Sequence, residues 1–114
     1  DYIVDHLSKL GLVYLHVVEG ATGGPRDVAP FDFAGLRRLF SGTYIANNGY
    51  DLKLATAHLA AGEADLFAFG RPFIANPDLV ARLQSGAALN EINPATIYGG
   101  GPEGYIDYPA LAEA

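Results

Sequence analysis

One stretch of this chain has the residue types and order needed to hold an anion. Phe69-Gly70-Arg71-Pro72 follows the apolar run Leu66-Phe67-Ala68 and precedes Asn76-Pro77-Asp78, which reads as a helix opening. Glycine lets backbone N–H groups come close to an anion, and the adjacent guanidinium can grip phosphate oxygens through two parallel hydrogen bonds. A nearby helix N-terminus adds partial positive charge. Other chemistry-bearing residues are sparse. There is no cysteine, which removes thiolate nucleophiles, thiolate metal sites and disulfides. His16 stands in an apolar strand and reads as a core histidine, whereas His6 and His58 read as solvated helix positions. No set of His, Asp and Glu has metal-ligand spacing, so no metal is expected. Asp51 reads as a helix cap.

An alternation of helices and strands must position these residues. Ile3, Leu7 and Leu10 give residues 2–10 one apolar face, with Gly11 as the stop. Residues 12–18 form an almost continuous apolar run rich in β-branched and aromatic side chains, which predicts a strand buried on both faces. A polar, Gly- and Pro-bearing loop follows over residues 19–30. Helices are predicted over 31–40 and 51–61, and strands over 42–47 and 64–69. The next helix has Asn76 as its predicted N-cap, Pro77 at the first helical position and Asp78 complementing the dipole. Leu79, Val80 and Leu83 make its apolar face, and Gly86 ends it. A Gly-rich tail runs on from about residue 87.

The 114 residues, half of them hydrophobic, suit a single domain with a real core. A net charge of −6 with only seven Lys and Arg supplies no basic face, so no nucleic-acid partner is expected. No apolar run approaches the roughly 20 residues of a membrane span, and no signal peptide is expected. The lack of cysteine fits a reducing compartment, and a cytoplasmic location is expected. Methionine is absent even at position 1, so the chain is expected to start after processing, cleavage or truncation of something longer. About three parallel strands and four helices define an α/β class. Three parallel strands leave two open edges, and an eight-stranded barrel takes around 250 residues. The chain is therefore either a small open α/β domain or part of a barrel completed by other polypeptide.

Ordered motifs add a resemblance. Residues 69–80, Phe-Gly-Arg-Pro-Phe-Ile-Ala-Asn-Pro-Asp-Leu-Val, resemble the last-strand motif of the old yellow enzyme family, the FMN-dependent ene-reductases. Tyr98-Gly99-Gly100-Gly101 and Gly104-Tyr105-Ile106-Asp107-Tyr108-Pro109 resemble its C-terminal tail. Tyr14-Leu15-His16-Val17 is similar to its strand six, and Ala46-Asn47-Asn48-Gly49-Tyr50-Asp51 to the end of strand seven. The resemblance covers nearly the whole chain. It implies the C-terminal part, about strands six to eight, of a (β/α)8 TIM barrel.

What the resemblance implies falls on particular residues. Asn48 and Gly49 would offer backbone N–H groups to the FMN phosphate, with Gly70 and Arg71 opposite them. The family usually has a small residue where this chain has Asn48, a change tolerated if the side chain points away. Phe69 would pack near the flavin, and Tyr98 would line the substrate pocket. Tyr105 and Tyr108 read as anchors of the tail. No catalytic residue is expected in this chain, because the family's carbonyl-binding His/His or His/Asn pair and its proton-donating tyrosine belong to earlier strands. The implied partner is a complementary N-terminal barrel chain carrying those His and Tyr residues. The implied reaction carries hydride from NADH or NADPH through non-covalent FMN to activated alkenes, such as α,β-unsaturated carbonyl or nitro compounds. Two other readings stay open: a stand-alone, non-catalytic flavin- or phosphate-binding module, and an inactive fragment.

Overall fold

The strand-forming runs and the amphipathic stretches between them set the order of elements. The computed structural model describes residues 2–111, which divide after Ala68 into two compact units. In the first, α1 (Tyr2–Lys9) precedes β1 (Tyr14–Val18), α2 (Phe33–Leu39), β2 (Thr43–Asn47), α3 (Leu52–Ala60) and β3 (Leu66–Ala68). The strands make a parallel sheet in the order β1-β2-β3. Each new strand is added on the same side as the last. That is how a barrel winds, whereas a doubly wound sheet reverses direction at a switch point. Both crossover helices start on aspartates: Asp32 accepts from Gly35 N at 2.7 Å, and Asp51 accepts from Leu54 N at 2.8 Å. Asp51 is therefore the cap that its position suggested.

Register sorts the side chains of the sheet. Leu15, Val17, Tyr44, Ala46 and Phe67 share one face, where Tyr44 and Ala46 are fully buried. With Leu36, Phe40 and Ala55 they form the core of the unit. The opposite face carries Tyr14, His16, Val18 and Leu66, all exposed. Two sequence-based readings are corrected here. The first strand is not buried on both faces, and His16 is not a core histidine, because alternation places it on the face that no helix of this unit covers.

Asp65, just before β3, ties the sheet to α2. Its carboxylate accepts from Tyr44 N at 2.8 Å and from Arg37 Nη2 at 2.9 Å. The Tyr44 amide first of all holds its carboxyl below the usual carboxylate range; burial opposes this, and Arg37 adds to the lowering. A depressed folded pKa contributes stability above the unfolded value, and this is lost as pH falls through the folded one. Acid unfolding is accordingly expected to begin below about pH 4, and Asp65→Asn should flatten that slope. Unfolding temperatures of both proteins across pH 2–6 would check this, and parallel curves would contradict it.

The second unit contains α4 (Arg71–Ala75), α5 (Leu79–Ser85) and a 3₁₀ turn (Pro94–Thr96). The short α4 was not predicted, and it changes the role of Asn76. That residue is the fully buried C-cap of α4 rather than an N-cap. Asn76 Nδ2 donates to Pro72 O at 2.9 Å, and Asn76 Oδ1 accepts from Asn90 N at 2.7 Å. Asp78 is the N-cap of α5 but makes no side-chain cap bond. Its carboxylate instead accepts from Leu111 N and from Arg82 Nε, both at 2.7 Å, and these bonds, the Leu111 amide first, lower its pKa. The buried Arg82 also donates to Ala88 O at 2.6 Å and to Pro109 O at 2.9 Å, which straps the tail to α5. Gly86 closes α5, as predicted.

Candidate functional site

Parallel pairing brings the C-terminal ends of the three strands to one edge of the sheet. Val18 is paired with Asn47, and Asn47 with Ala68. The loops that follow all three strands therefore leave from this edge, where α/β folds place their ligands.

The turn after β2 is Asn48-Gly49, with φ of 87° and 67°. Two consecutive left-handed residues are unusual when the first is not glycine, and asparagine is among the few that tolerate it. The Asn48 side chain is turned into the loop after β1, where its Nδ2 donates to Glu19 O at 2.6 Å and Ala21 O at 3.0 Å. The Asn48 N–H donates to Asn47 Oδ1 at 2.5 Å, so it is already engaged within the turn. The Gly49 N–H has no acceptor among the described residues, and Gly49 is exposed.

Beneath this turn lies a polar cluster that the sequence reading passed over as loop. Glu19 is 4% exposed and pairs with Arg26, whose Nη2 lies 2.6 Å from Glu19 Oε2. Tyr50 OH donates to Glu19 Oε2 at 2.9 Å, and Tyr44 OH to Glu19 Oε1 at 3.3 Å. Burial and then the Glu19 carboxylate push the Tyr50 phenol up to about 12 and raise that of Tyr44 as well, so both remain donors at neutral pH. The Arg26 guanidinium also lies 4.2 Å from the centre of the Tyr50 ring. His58 Nδ1 is 3.0 Å from Tyr50 OH and 3.3 Å from Glu63, so this histidine is not merely a solvated helix position. A glutamate immediately after an apolar strand was the one available signal for the cluster.

In the second unit, Phe69 is half-buried, Gly70 is the N-cap of α4, and Arg71 is its exposed first residue. A Cβ on Gly70 would meet nothing within 4 Å, and α4 has no side-chain cap. Arg71 has no carboxylate within ion-pair distance among the described residues. An open backbone beside an unpaired guanidinium suits an anionic ligand. Tyr98 is 97% exposed on the tail, and nothing in its unit covers it. Tyr108 anchors the tail, with its OH accepting from Asn93 N at 2.8 Å. Tyr105 does not, being 83% exposed.

Among the described residues, no group of three or more His, Cys, Asp or Glu side chains could hold a metal, and no helix is long and apolar enough to cross a membrane. The parallel sheet and its winding are those of part of an α/β protein of the barrel type. The comparisons make the class specific. A model of the NADH:flavin oxidoreductase / NADH oxidase family matches residues 2–90, and the chain belongs to that family. FMN and NAD(P)H are the cofactors of the family. A 12-oxophytodienoate reductase-like protein of Solanum lycopersicum is 42% identical over 114 residues, covering 99% of this chain and 31% of the relative. 12-Oxophytodienoate reductase 2 of Arabidopsis thaliana is 39% identical, with 96% and 30% covered. Among solved structures, morphinone reductase matches with a TM-score of 0.88 at 47% identity, over 96% of this chain and 30% of that one. The old yellow enzyme of Trypanosoma cruzi matches with a TM-score of 0.85 at 38% identity, over 96% and 30%. The chain thus spans about a third of the length of these relatives.

Proposed function

We propose that this chain is the C-terminal arc, about strands six to eight, of an FMN-dependent ene-reductase barrel, and that it anchors the cofactor phosphate. The observation that carries the reading is the exposed Arg71, with no carboxylate in ion-pair distance among the described residues, beside an open Gly70. By the family resemblance, the first unit would offer the Gly49 N–H to the phosphate, and the second would offer Gly70 and Arg71, with Phe69 packing near the flavin ring. When bound, FMN would supply the redox chemistry, hydride transfer from NAD(P)H to the β-carbon of an activated alkene. This chain's residues bind and orient the cofactor, while the carbonyl clamp and the proton donor come from polypeptide outside it. The exposed face of the sheet, with Tyr14, His16, Val18 and Leu66, corresponds to a barrel interior that further strands would fill.

The reading is tested by combining the chain with the N-terminal barrel segment and FMN, and then following NAD(P)H oxidation. Oxidation that depends on an added α,β-unsaturated ketone is the expected result. An assembled, flavin-loaded protein that leaves such alkenes unreduced would contradict it. In that assembly Tyr98→Phe is expected to change alkene kinetics by about two- to fivefold while flavin occupancy stays the same. Release of flavin would instead make Tyr98 a cofactor contact.

A further inference from the structure

The loop between β1 and α2 is folded back on itself. Ala21 N donates to Pro25 O at 3.0 Å, and Gly24 N to Ala21 O at 2.9 Å. Gly20, at φ 81°, allows this return, because a Cβ there would run into the Arg26 carbonyl. Arg26 is thereby brought beneath the turn after β2. Its Nη1 donates to Asn48 O at 2.6 Å while its Nη2 holds Glu19 Oε2 at 2.6 Å. Its Cγ and Cδ stand 3.1 Å from the point where a Gly49 Cβ would sit. The turn is gripped from the other side as well, since Asn48 Nδ2 donates to Glu19 O. Asn48 is therefore held by the Arg26 side chain and the Glu19 backbone, and Gly49 packs against Arg26 alone.

Stability alone is a poor reason for this arrangement. Glu19 is buried and Arg26 partly so, and an ion pair taken out of water loses hydration that packed hydrocarbon would not, so its burial is weak evidence for stabilisation. What the planar guanidinium adds is a fixed fork spanning two acceptors. We propose that Arg26, held by Glu19, is a positioning residue for the cofactor phosphate: it locks the Asn48–Gly49 turn so that the Gly49 N–H is aligned before the ligand arrives. This rests on the reading that the turn belongs to the FMN phosphate site.

The test uses the assembled protein, stripped of flavin and titrated separately with FMN and with riboflavin, which lacks the phosphate. Arg26→Lys keeps a cation beside Glu19 but cannot span both acceptors, so the fold is retained while the lock is lost. It is expected to weaken FMN binding about tenfold and to leave riboflavin binding within about twofold of the parent. Equal losses for both flavins would mean a general structural role and would overturn the inference. So would unchanged FMN binding in Arg26→Lys when Arg71→Ala lowers the FMN-to-riboflavin preference. If Arg71→Ala also leaves that preference intact, the phosphate reading fails, and the inference falls with it. Glu19→Gln provides a second variant: it preserves the shape of the pair while weakening its hold on Arg26, and it should shift the same preference in the same direction.

Discussion

Replacing Arg71 with alanine is expected to weaken FMN binding by about 10- to 100-fold while riboflavin binding stays nearly constant. The size follows from what a guanidinium does for a phosphate dianion. Two charge-assisted hydrogen bonds in a fixed fork contribute more than neutral ones, and removing them leaves the anion with backbone donors alone. No protein carboxylate among the described residues competes for Arg71, so little of its charge is spent inside the chain. Equilibrium dialysis of the flavin-stripped protein against each flavin measures the difference directly. Unchanged FMN affinity would remove Arg71 from the site.

The second large effect concerns the tail. Arg82→Ala should destabilise the second unit by about 3 kcal/mol, because it takes the donor from Ala88 O and one of two donors from Pro109 O, unpairs Asp78 and deletes a well-buried side chain. The Arg82 side chain is 6% exposed and bridges Asp78, Ala88 O and Pro109 O, so its loss undoes the strap at several points together. Proteolysis beyond residue 86 is then expected to accelerate, since the tail would open locally. A tail as protease-resistant as the parent's, with an unchanged unfolding temperature, would show that the strap is not held by Arg82.

The elements were legible where a pattern repeats. The three strands and the helices α1, α2, α3 and α5 lie within the predicted stretches because each carries an apolar run or period, the shortest being the four residues 66–69 that hold β3. Helix α4 left no such trace. Five residues make too short a period, and Gly70-Arg71-Pro72 has the composition of a turn, although proline also suits a first helical turn. Missing α4 shifted Asn76 from the end of one helix to the start of the next. The exposure of His16 was illegible for a different reason. Its strand is composed for burial on both faces, and only one face is covered within its unit.

The candidate anion-binding residues were partly legible. Gly70 and Arg71 could be read from residue type, and Asn48, Gly49, Phe69 and Tyr98 came only through resemblance to a family. The Glu19–Arg26–Tyr50 cluster was hidden because its members lie 7 to 31 residues apart in sequence and obey no period. Polar networks of this kind are specified by the closing of loops, and a strand or helix pattern carries no sign of them.

Native mass spectrometry of the purified protein tests the central claim most directly. An assembly containing this arc, the remainder of a barrel and one FMN is the expected result, and Arg71→Ala should shed the FMN mass under the same conditions. A flavin-free chain that associates with nothing would contradict the claim that it anchors a cofactor in an ene-reductase barrel.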